Sequence, residues 1–347
     1  VSPQGIIAVA GAVRSNTGPL LEGKPLLDQD AWLLRLNASG QLLWQRRFGG
    51  LRNDEFRALA QLPDGGYVLA GYSESDSLSR GGRDMFAVRT NALGQPLWQR
   101  HFGGRGNDAA SAVVALPGGG LLLAGEAASA DGDVQRSFGG LDAWLVALNA
   151  EGALQWEATL GGEGNEHIAA ALRLDDGTFV IAGTTDSRGG PLAARAGATD
   201  LFVARLTSRG QPIWARTFGG PDNDEAHAVA LGPGGRLFVA GTTFSRGGDV
   251  AVPLGGGDAW LLALTVEGQL IWEKTYGGPG DDGASAVAPG PMGTLLLAGT
   301  SRSRGGQRSG YHGVFDGWAL KLEGATGAIL WEKSLGGFQN DALHAVA

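Results

Sequence analysis

Two histidines and one arginine share one position of a repeated segment, and their side chains could do acid–base chemistry. They are His227, His344 and Arg57. An imidazole titrates near neutral pH and can act as a general base or bind a metal ion, and a guanidinium can hold an anionic group. His167 and Glu225 lie two residues before this position in two of the repeats. If the chain is an enzyme, these residues predict a hydrolase or lyase that acts on a sugar or lactone.

An acidic residue follows a Gly-Gly pair in every repeat. The six residues are Asp54, Asp108, Glu166, Asp224, Asp282 and Asp341. Carboxylate oxygens suit Ca²⁺, so an acidic rim is one candidate metal site, although no segment has the dense carboxylate spacing of a calcium-binding loop. The alternative is that each carboxylate caps its own turn. We expect no other cofactor.

A Ser-Arg-Gly-Gly segment recurs in four long loops, with arginines at Arg80, Arg188, Arg246 and Arg304. Repeated guanidiniums on one face could bind the carboxylates of an acidic polysaccharide, or could brace the loops by pairing with nearby aspartates. The last of these loops also holds Tyr311 and His312. The arginines, Tyr311 and His312 are the candidate ligand-binding residues.

These residues are placed by six copies of one pattern. An Asp stands two residues before Trp or Phe in each copy, at Asp30, Asp84, Asp142, Asp200, Asp258 and Asp316. A second tryptophan follows in each copy, at Trp44, Trp98, Trp156, Trp214, Trp272 and Trp331, and these recur about every 58 residues. The Asp side chains could pin loops or bind a metal, and the second tryptophans could pack between sheets or stack on carbohydrate. A repeat of this length built from short strands is typical of propeller blades.

Each repeat contains four predicted strands, which we call A to D. In the fifth repeat they are His227–Leu231, Arg236–Thr242, Asp258–Leu264 and Gln269–Tyr276, with a loop of about fifteen residues between B and C. The runs are short, rich in Val, Leu, Ile and aromatic residues, and bounded by Gly, Pro and Asp. No segment has a sustained helical period. The fold predicted is all-β: a six-bladed β-propeller with four antiparallel strands per blade.

The two ends of the sequence match one repeat when they are joined. Residues 345–347 followed by residues 1–11 align with residues 228–241 without a gap. This predicts one domain over residues 1–347, in which the C-terminus supplies strand A of the blade that the N-terminus begins. A blade shared between the termini would close the ring and protect its edges.

Composition narrows the classes of partner. The formal net charge is −8 and lysines and arginines form no block, which argues against nucleic acid. The chain has no cysteine, so disulfides and thiolate chemistry are excluded. No apolar run approaches the roughly 18 residues of a membrane-spanning helix, so we expect no membrane insertion. Glycine accounts for 61 of 347 residues, which suits many tight turns.

The segment from Thr275 to Asp282, Thr-Tyr-Gly-Gly-Pro-Gly-Asp-Asp, with Leu297-Ala298-Gly299-Thr300 after it, resembles the bacterial β-propeller repeat family known as SBBP. The resemblance covers all six copies and implies a propeller in a secreted or cell-envelope protein. The segment from Thr326 to Glu332 is similar to the tryptophan-docking repeat of quinoprotein dehydrogenases. Those enzymes have eight blades and adjacent cysteines, and this chain has six repeats and no cysteine.

The uniform repeats and variable loops favour a non-catalytic binding or scaffold module of a secreted or cell-surface bacterial protein. We expect a glycan or protein ligand on the face that carries the long loops, and a monomer or one domain of a larger protein. The alternative is the hydrolase or lyase described above, with its site at the mouth of the central channel. A structural spacer would differ from the first hypothesis only in lacking a ligand.

Overall fold

The chain is described by a computed structural model that covers residues 5–14, 28–75, 81–194, 197–305 and 313–346. It divides into two compact units, residues 1–160 and 161–347, and each unit contains three consecutive antiparallel sheets. Tyr311, His312 and Arg80 lie outside the described residues. The described residues contain no helix long and apolar enough to cross a bilayer.

The first unit holds blades 1 to 3. Blade 1 consists of β1 (Ile7–Val13), β2 (Asp30–Leu36) and β3 (Leu42–Phe48). Blade 2 consists of β4 (Asp54–Gln61), β5 (Tyr67–Ser73), β6 (Asp84–Thr90) and β7 (Pro96–Phe102). Blade 3 consists of β8 (Asp108–Ala115), β9 (Leu121–Ala127), β10 (Asp142–Leu148) and β11 (Leu154–Leu160).

The second unit holds blades 4 to 6. Blade 4 consists of β12 (Glu166–Arg173), β13 (Phe179–Thr185), β14 (Asp200–Leu206) and β15 (Pro212–Phe218). Blade 5 consists of β16 (Asp224–Leu231), β17 (Leu237–Thr243), β18 (Asp258–Leu264) and β19 (Leu270–Tyr276). Blade 6 consists of β20 (Asp282–Pro289), β21 (Thr294–Ser301), β22 (Asp316–Glu323) and β23 (Ile329–Leu335).

Strand order in every sheet follows chain order, so each blade is a meander of strands A to D. In blades 2 to 6, strands B and C are buried almost throughout, whereas strand D, at one edge of its sheet, has several exposed residues. Within each unit the core lies between neighbouring sheets, and one cluster joins Val180 and Val203 of blade 4 to Val239 and Leu262 of blade 5. The predicted class, a six-bladed β-propeller, is confirmed by these sheets.

Strand A begins earlier than the sequence predicts, because the repeat acid itself starts the strand. The Asp224 N–H donates to the Thr199 carbonyl of the preceding blade at 3.0 Å, and Asp224 pairs with Thr243 in the ladder. Asp341 makes the corresponding bond to the Phe315 carbonyl at 2.9 Å. Residues 340–346 form no strand and blade 1 contains three strands. The closing blade shared by the termini, and the single domain over residues 1–347, stay predictions.

Every described four-stranded blade has a β-bulge in strand A. The ladder skips one residue there, and those residues are Arg57, Ser111, Ala169, His227 and Ser285. A bulge residue has no partner across the ladder and its side chain is re-aimed. The position that the sequence singles out for acid–base chemistry is therefore the bulge of each blade.

Candidate functional site

Five of the six repeat acids are buried, Asp341 is half-buried, and all six accept hydrogen bonds from the Gly-Gly loop that precedes them. Asp54, Asp108, Glu166 and Asp224 are each 0% exposed, and Asp282 is 2% exposed. In each blade the second glycine N–H donates to the carboxylate at 2.8–3.0 Å, and the same bond joins Gly337 to Asp341. Each acid therefore caps the loop between strand D of one blade and strand A of the next.

A serine two residues after strand B completes this arrangement. In blade 5 the Ser245 hydroxyl donates to Asp224 at 2.8 Å and accepts the Asp222 N–H at 3.0 Å. Hydroxyl-to-carboxylate bonds with the same 21-residue separation occur at Ser75, Ser129 and Ser303. We call this acid–serine contact the latch. Because the latch ties the D–A loop to the B–C loop, both loops lie on one side of the blade, which we call the loop side.

Blade 4 has a variant latch. Its acid is Glu166, one methylene longer, and it accepts from the Thr185 hydroxyl at 2.8 Å. Ser187 accepts the Gly164 N–H at 2.8 Å, and in the described part of the chain it makes no bond to the acid. Blades 5 and 6 have the same contact between the acid and the last residue of strand B, from Thr243 to Asp224 and from Ser301 to Asp282, so among the described residues blade 4 differs only in lacking the bond from the serine.

Latch geometry bears on the calcium prediction. The carboxylates accept hydrogen bonds from N–H and hydroxyl groups of the adjoining loops, as expected if each acid caps its own turn. Burial is the main cause that raises the pKa of Asp224, and the bonds from Thr243 and Ser245 oppose it. Among the residues that the structure describes, no three His, Asp or Glu side chains are grouped to hold a metal ion. Calcium stays an untested prediction.

The strand C aspartates are also buried and pin loops. Asp142 accepts the Phe138 N–H at 2.8 Å, and Asp258 accepts the Leu254 N–H at 2.7 Å. Asp30 forms an ion pair with Arg47. Burial raises the pKa of Asp258, and the charge of Asp282 adds to that effect.

His227 lies in a polar contact network of strand A. One imidazole nitrogen, Nε2, lies 3.3 Å from Glu225 Oε2, and the other, Nδ1, lies 2.9 Å from the Ala284 carbonyl of blade 6. The hydrogen bond from His227 lowers the pKa of Glu225, and the nearby His167 lowers it further. Burial acts to lower the pKa of His227, but the bonds to Glu225 and Ala284 outweigh it and the pKa is raised. The structure thus brings His227 into contact with Glu225, and the charge of His167 acts on the same carboxylate.

The other two catalytic candidates have different surroundings. Arg57 Nε lies 3.6 Å from Glu55 Oε1, and its guanidinium lies 5.0 Å from the centre of the Tyr72 ring. Arg83 covers the same ring at 3.9 Å. His344 is exposed, in the segment after blade 6. A catalytic role for His227, His344 or Arg57 stays a prediction.

The described loop arginines are exposed and brace their own loops through backbone carbonyls. Arg188 donates to the Gly197 carbonyl, and Arg246 donates to the Gly255 carbonyl at 3.0 Å. Both bonds span nine residues of the B–C loop. The expected pairing with aspartates stays a prediction. Arg304 is also exposed, and ligand binding by these arginines stays a prediction.

The second tryptophans pack between blades. The Trp98 ring lies against Gly152 in the C–D turn of blade 3, and its indole N–H donates to the Ala150 carbonyl at 2.9 Å. Trp214 makes the same contacts with Gly268 and the Val266 carbonyl, the latter at 3.0 Å. A Cβ on Gly152 would come within 2.9 Å of the ring, and its φ of +77° also favours glycine. These contacts support the packing role.

One set of residues that the sequence analysis missed surrounds the first aromatic column. The indole N–H of Trp144, Trp260 and Trp318 donates to a strand D glutamate, at 2.9, 2.8 and 3.0 Å. The acceptors are Glu157, Glu273 and Glu332. The signal was present in the sequence, because the glutamate follows the tryptophan by 13 or 14 residues in these three repeats.

Comparison with known proteins adds a distant relative. No protein-family model matches the chain. The regulatory protein FlaEY of Caulobacter vibrioides is 26% identical over 375 residues, which cover 95% of this chain and 38% of FlaEY. The chain therefore spans well under half the length of this relative. Membership of the SBBP family stays a prediction.

Solved structures share the fold at low sequence identity. Sqt1 from Chaetomium thermophilum is 15% identical and matches with a TM-score of 0.50, over 99% of this chain and 71% of Sqt1. A protein of unknown function from Bacteroides caccae is 12% identical and has a TM-score of 0.49, over 94% and 93%. The quinohemoprotein alcohol dehydrogenase from Comamonas testosteroni is 12% identical with a TM-score of 0.47, over 99% and 70%. The six antiparallel sheets make the chain a β-propeller repeat protein.

Proposed function

We propose that this chain is a non-catalytic binding or scaffold propeller of a secreted or cell-surface bacterial protein. Its ligand is a glycan or a protein that contacts the loop side. The propeller fold supports a module of this kind, because blades built from repeated positions present loops that differ from one another. The resemblance to SBBP repeats supports the extracellular setting.

Exposed apolar side chains on the loop side carry the proposal. The D–A loops expose Leu51 in the first unit and Phe338 in the second, and Phe338 is 93% exposed. The B–C loops expose Phe138 in the first unit, and Phe244 and Val252 in the second. A contiguous exposed apolar patch marks an interaction surface, whereas single exposed apolar residues are common, so Phe244 and Val252, which share one loop, are the strongest candidates. The latch supplies the contrast, because its polar residues are bonded internally and buried.

Cationic groups accompany these apolar residues. Arg246 is exposed two residues after Phe244, in the same B–C loop. The Arg302 guanidinium lies 5.8 Å from the centre of the Phe315 ring. Arginine beside aromatic side chains is a frequent composition of binding surfaces. This pairing suits a ligand with carboxylates or exposed apolar groups.

The test is binding by wild type and by a loop-side variant, Phe244→Ser with Arg246→Ala. A glycan array and a pull-down from bacterial envelope material provide the two readouts. Arg209→Ala is the control, because Arg209 is exposed in the C–D turn of blade 4, at the opposite end of the strands. We expect the loop-side variant to weaken binding at least tenfold and the control to retain it.

Two results would count against this function. Equal binding by wild type and the loop-side variant would remove the loop side of blade 5 from the interface. If neither assay detected binding and the protein turned over a sugar or lactone, the chain would be an enzyme and the proposed binding function would be rejected.

The alternative, a hydrolase or lyase, is favoured by the contact of Glu225 with His227. A carboxylate that orients an imidazole is a common part of acid–base sites. The test is turnover of sugar and lactone substrates by His227→Ala, together with metal analysis of the purified protein. Unchanged activity in His227→Ala and in His344→Ala would reject this alternative.

A further inference from the structure

Blade 2 contains a cavity of about 200 Å³ that no motif in the sequence indicates. It lies between the sheet of blade 2 and the D–A loop that precedes it, all within the first unit. Its walls are formed by the Gly49–Gly50 loop, Ser73, Ser75, Phe86, Gln99 and His101. The volume equals that of roughly six or seven liquid water molecules, which suits one small ring and is too small for a peptide.

Three other blades carry larger groups at the equivalent positions. Blades 3, 5 and 6 combine a strand C tryptophan, a strand D glutamate that accepts its N–H, and a small alanine in strand A. The three sets are Ala110, Trp144 and Glu157; Ala226, Trp260 and Glu273; and Ala284, Trp318 and Glu332. Blade 1 has Trp32 with Gln45 in place of the glutamate.

Blade 2 replaces all three members of the set. Phe86 stands in place of the tryptophan, Phe56 in place of the alanine, and Gln99 in place of the glutamate. Phe56 stacks on Phe86 with ring centres 5.5 Å apart, and His101 stacks on Phe86 at 4.7 Å. The larger Phe56 thus compensates for the smaller ring inside the core, whereas no indole–glutamate pair covers strands C and D. The cavity opens at that place.

The walls offer hydrogen-bonding groups of a neutral kind. Ser73 carries a hydroxyl, Gln99 carries an exposed amide, and His101 carries an imidazole, whereas the Ser75 hydroxyl belongs to the latch and accepts the Arg52 N–H at 2.7 Å. Ser75 donates to the buried Asp54 at 2.7 Å, so a carboxylate lies directly behind the wall. An anion would be repelled by Asp54, and His101 is the one lining side chain that can become cationic.

We propose that this cavity binds a single neutral sugar ring. Hydroxyl groups of a sugar both donate and accept, which matches a serine hydroxyl, an amide and an imidazole. A small polar pocket with few convergent groups is the usual form of such a site. The proposal rests on the binding function proposed above and names its ligand class and one of its sites.

The test measures binding of neutral methyl glycosides of glucose, galactose and mannose, and of N-acetylglucosamine, by calorimetry and saturation-transfer NMR. Acetate and inorganic phosphate are the charged comparison ligands. Wild type is expected to bind at least one glycoside with a millimolar Kd and to bind neither anion. Binding of an anion without any glycoside, or of no glycoside at all, would overturn the proposal.

A triple variant of blade 2 can fill the cavity with the side chains that blades 3, 5 and 6 have at the same positions. Phe56→Ala, Phe86→Trp and Gln99→Glu together convert blade 2 to the pattern of blades 3, 5 and 6. We expect this triple variant to lower glycoside affinity at least tenfold. Unchanged affinity would overturn the proposal.

A matched control makes the same change in the other phenylalanine blade. Blade 4 has Ile168, Phe202 and Ala215 at the three positions, so Ile168→Ala, Phe202→Trp and Ala215→Glu should leave glycoside affinity unchanged. If the blade 2 triple variant does not fold, His101→Thr takes its place, since Thr159, Thr217 and Thr275 occupy this position in blades 3 to 5. His101→Thr is expected to weaken binding at least threefold, and equal binding would contradict the site.

The two proposals fail in different ways. Glycoside binding in the cavity without any array or pull-down ligand would retain this site and reject the surface of Phe244 and Arg246 as the binding surface. An array ligand that the blade 2 triple variant still binds as wild type does, with no glycoside bound by wild type, would retain the loop-side function and reject the cavity site.

Discussion

Removing the Ser245 hydroxyl should destabilise blade 5 more than removing the Ser187 hydroxyl destabilises blade 4. Both serines begin a Ser-Arg-Gly-Gly segment in the second unit and are 1–2% exposed. Both accept an N–H from the D–A loop, at 3.0 and 2.8 Å. Ser245 alone also donates to the repeat acid of its blade, at 2.8 Å.

The magnitudes follow from the bonds that each substitution removes. A hydrogen bond to a charged group contributes about 1.5–3 kcal/mol, and a neutral one about 1 kcal/mol. Ser245→Ala removes one of each, which gives a loss of about 2.5–4 kcal/mol in the free energy of unfolding. Ser187→Ala removes the neutral bond and should cost about 1 kcal/mol. Water cannot replace either hydroxyl without opening the loop, because both are buried.

The assay is urea unfolding followed by tryptophan fluorescence and circular dichroism. Ser208→Ala, in an exposed C–D turn of blade 4, is the control and should change stability by less than about 0.5 kcal/mol. The bond from Ser245 lowers the pKa of Asp224, so its loss raises that pKa further. The cost of Ser245→Ala should therefore increase as the pH rises through that pKa. Equal losses for Ser245→Ala and Ser187→Ala would refute the charged hydrogen bond as the stabilising part of the latch.

Three further predictions concern the second unit. Glu225→Gln should lower the melting temperature most between about pH 4.5 and 6.5, since the folded pKa of Glu225 lies below 4.5 and that of His227 above 6.5; a pH-independent difference in melting scans would contradict it. Gly277→Ala should cost about 1–3 kcal/mol in urea unfolding, because φ is +140° and a Cβ would strike the latch acid; a loss below about 0.5 kcal/mol would contradict it. Glu273→Ala should cost about 1–3 kcal/mol and shift the fluorescence of the buried Trp260, whose N–H loses its acceptor at 2.8 Å; an unchanged spectrum and stability would contradict it.

The blades could be predicted from the sequence because each strand is short, apolar and bounded by turn residues. Strand C of blade 5 was predicted with its observed bounds, Asp258–Leu264, and strands B and D within one residue. Strand A was predicted to begin at His227, three residues late, because an acid after a glycine loop looks like part of a turn. The structure adds a ladder pair at Asp224 that only the neighbouring strand provides.

The latch shows that the Ser-Arg-Gly-Gly motif does not identify the serine that bonds to the repeat acid. The segment Ser-Arg-Gly-Gly aligns Ser79 with Ser187, but Ser75 is the serine that bonds to the repeat acid in blade 2. Strands A and B pair over a fixed length, so the distance along the chain from acid to serine is constant at 21 residues. The loop beyond the serine varies in length and carries no such constraint. Spacing from the strand pair therefore identifies the residue better than the local motif does.

Partners of the loop arginines could not be predicted, for a related reason. Arg188 and Arg246 reach carbonyls nine residues away, and any residue type can supply a carbonyl. A sequence shows which side chains are charged but not where a loop turns its backbone. The pairing with a repeat aspartate stays a prediction, and the charge of Arg246 does act on Asp258, because it opposes the rise that burial causes in the pKa of that carboxyl.

Blade-to-blade differences in the core give the strongest argument for where a ligand binds. A tryptophan occurs with alanine and glutamate in blades 3, 5 and 6, whereas a phenylalanine occurs with Phe56 in blade 2 and with Ile168 in blade 4. A smaller strand C ring thus occurs with a larger strand A side chain, which keeps the core between them filled, as close packing requires. The hydrogen bond between a strand C indole and a strand D glutamate is absent from blades 2 and 4, since Gln99 and Ala215 stand in place of the glutamate. Blade 2 combines the loss of this glutamate with Phe56, Phe86 and the stacked His101, and its cavity lies at that place.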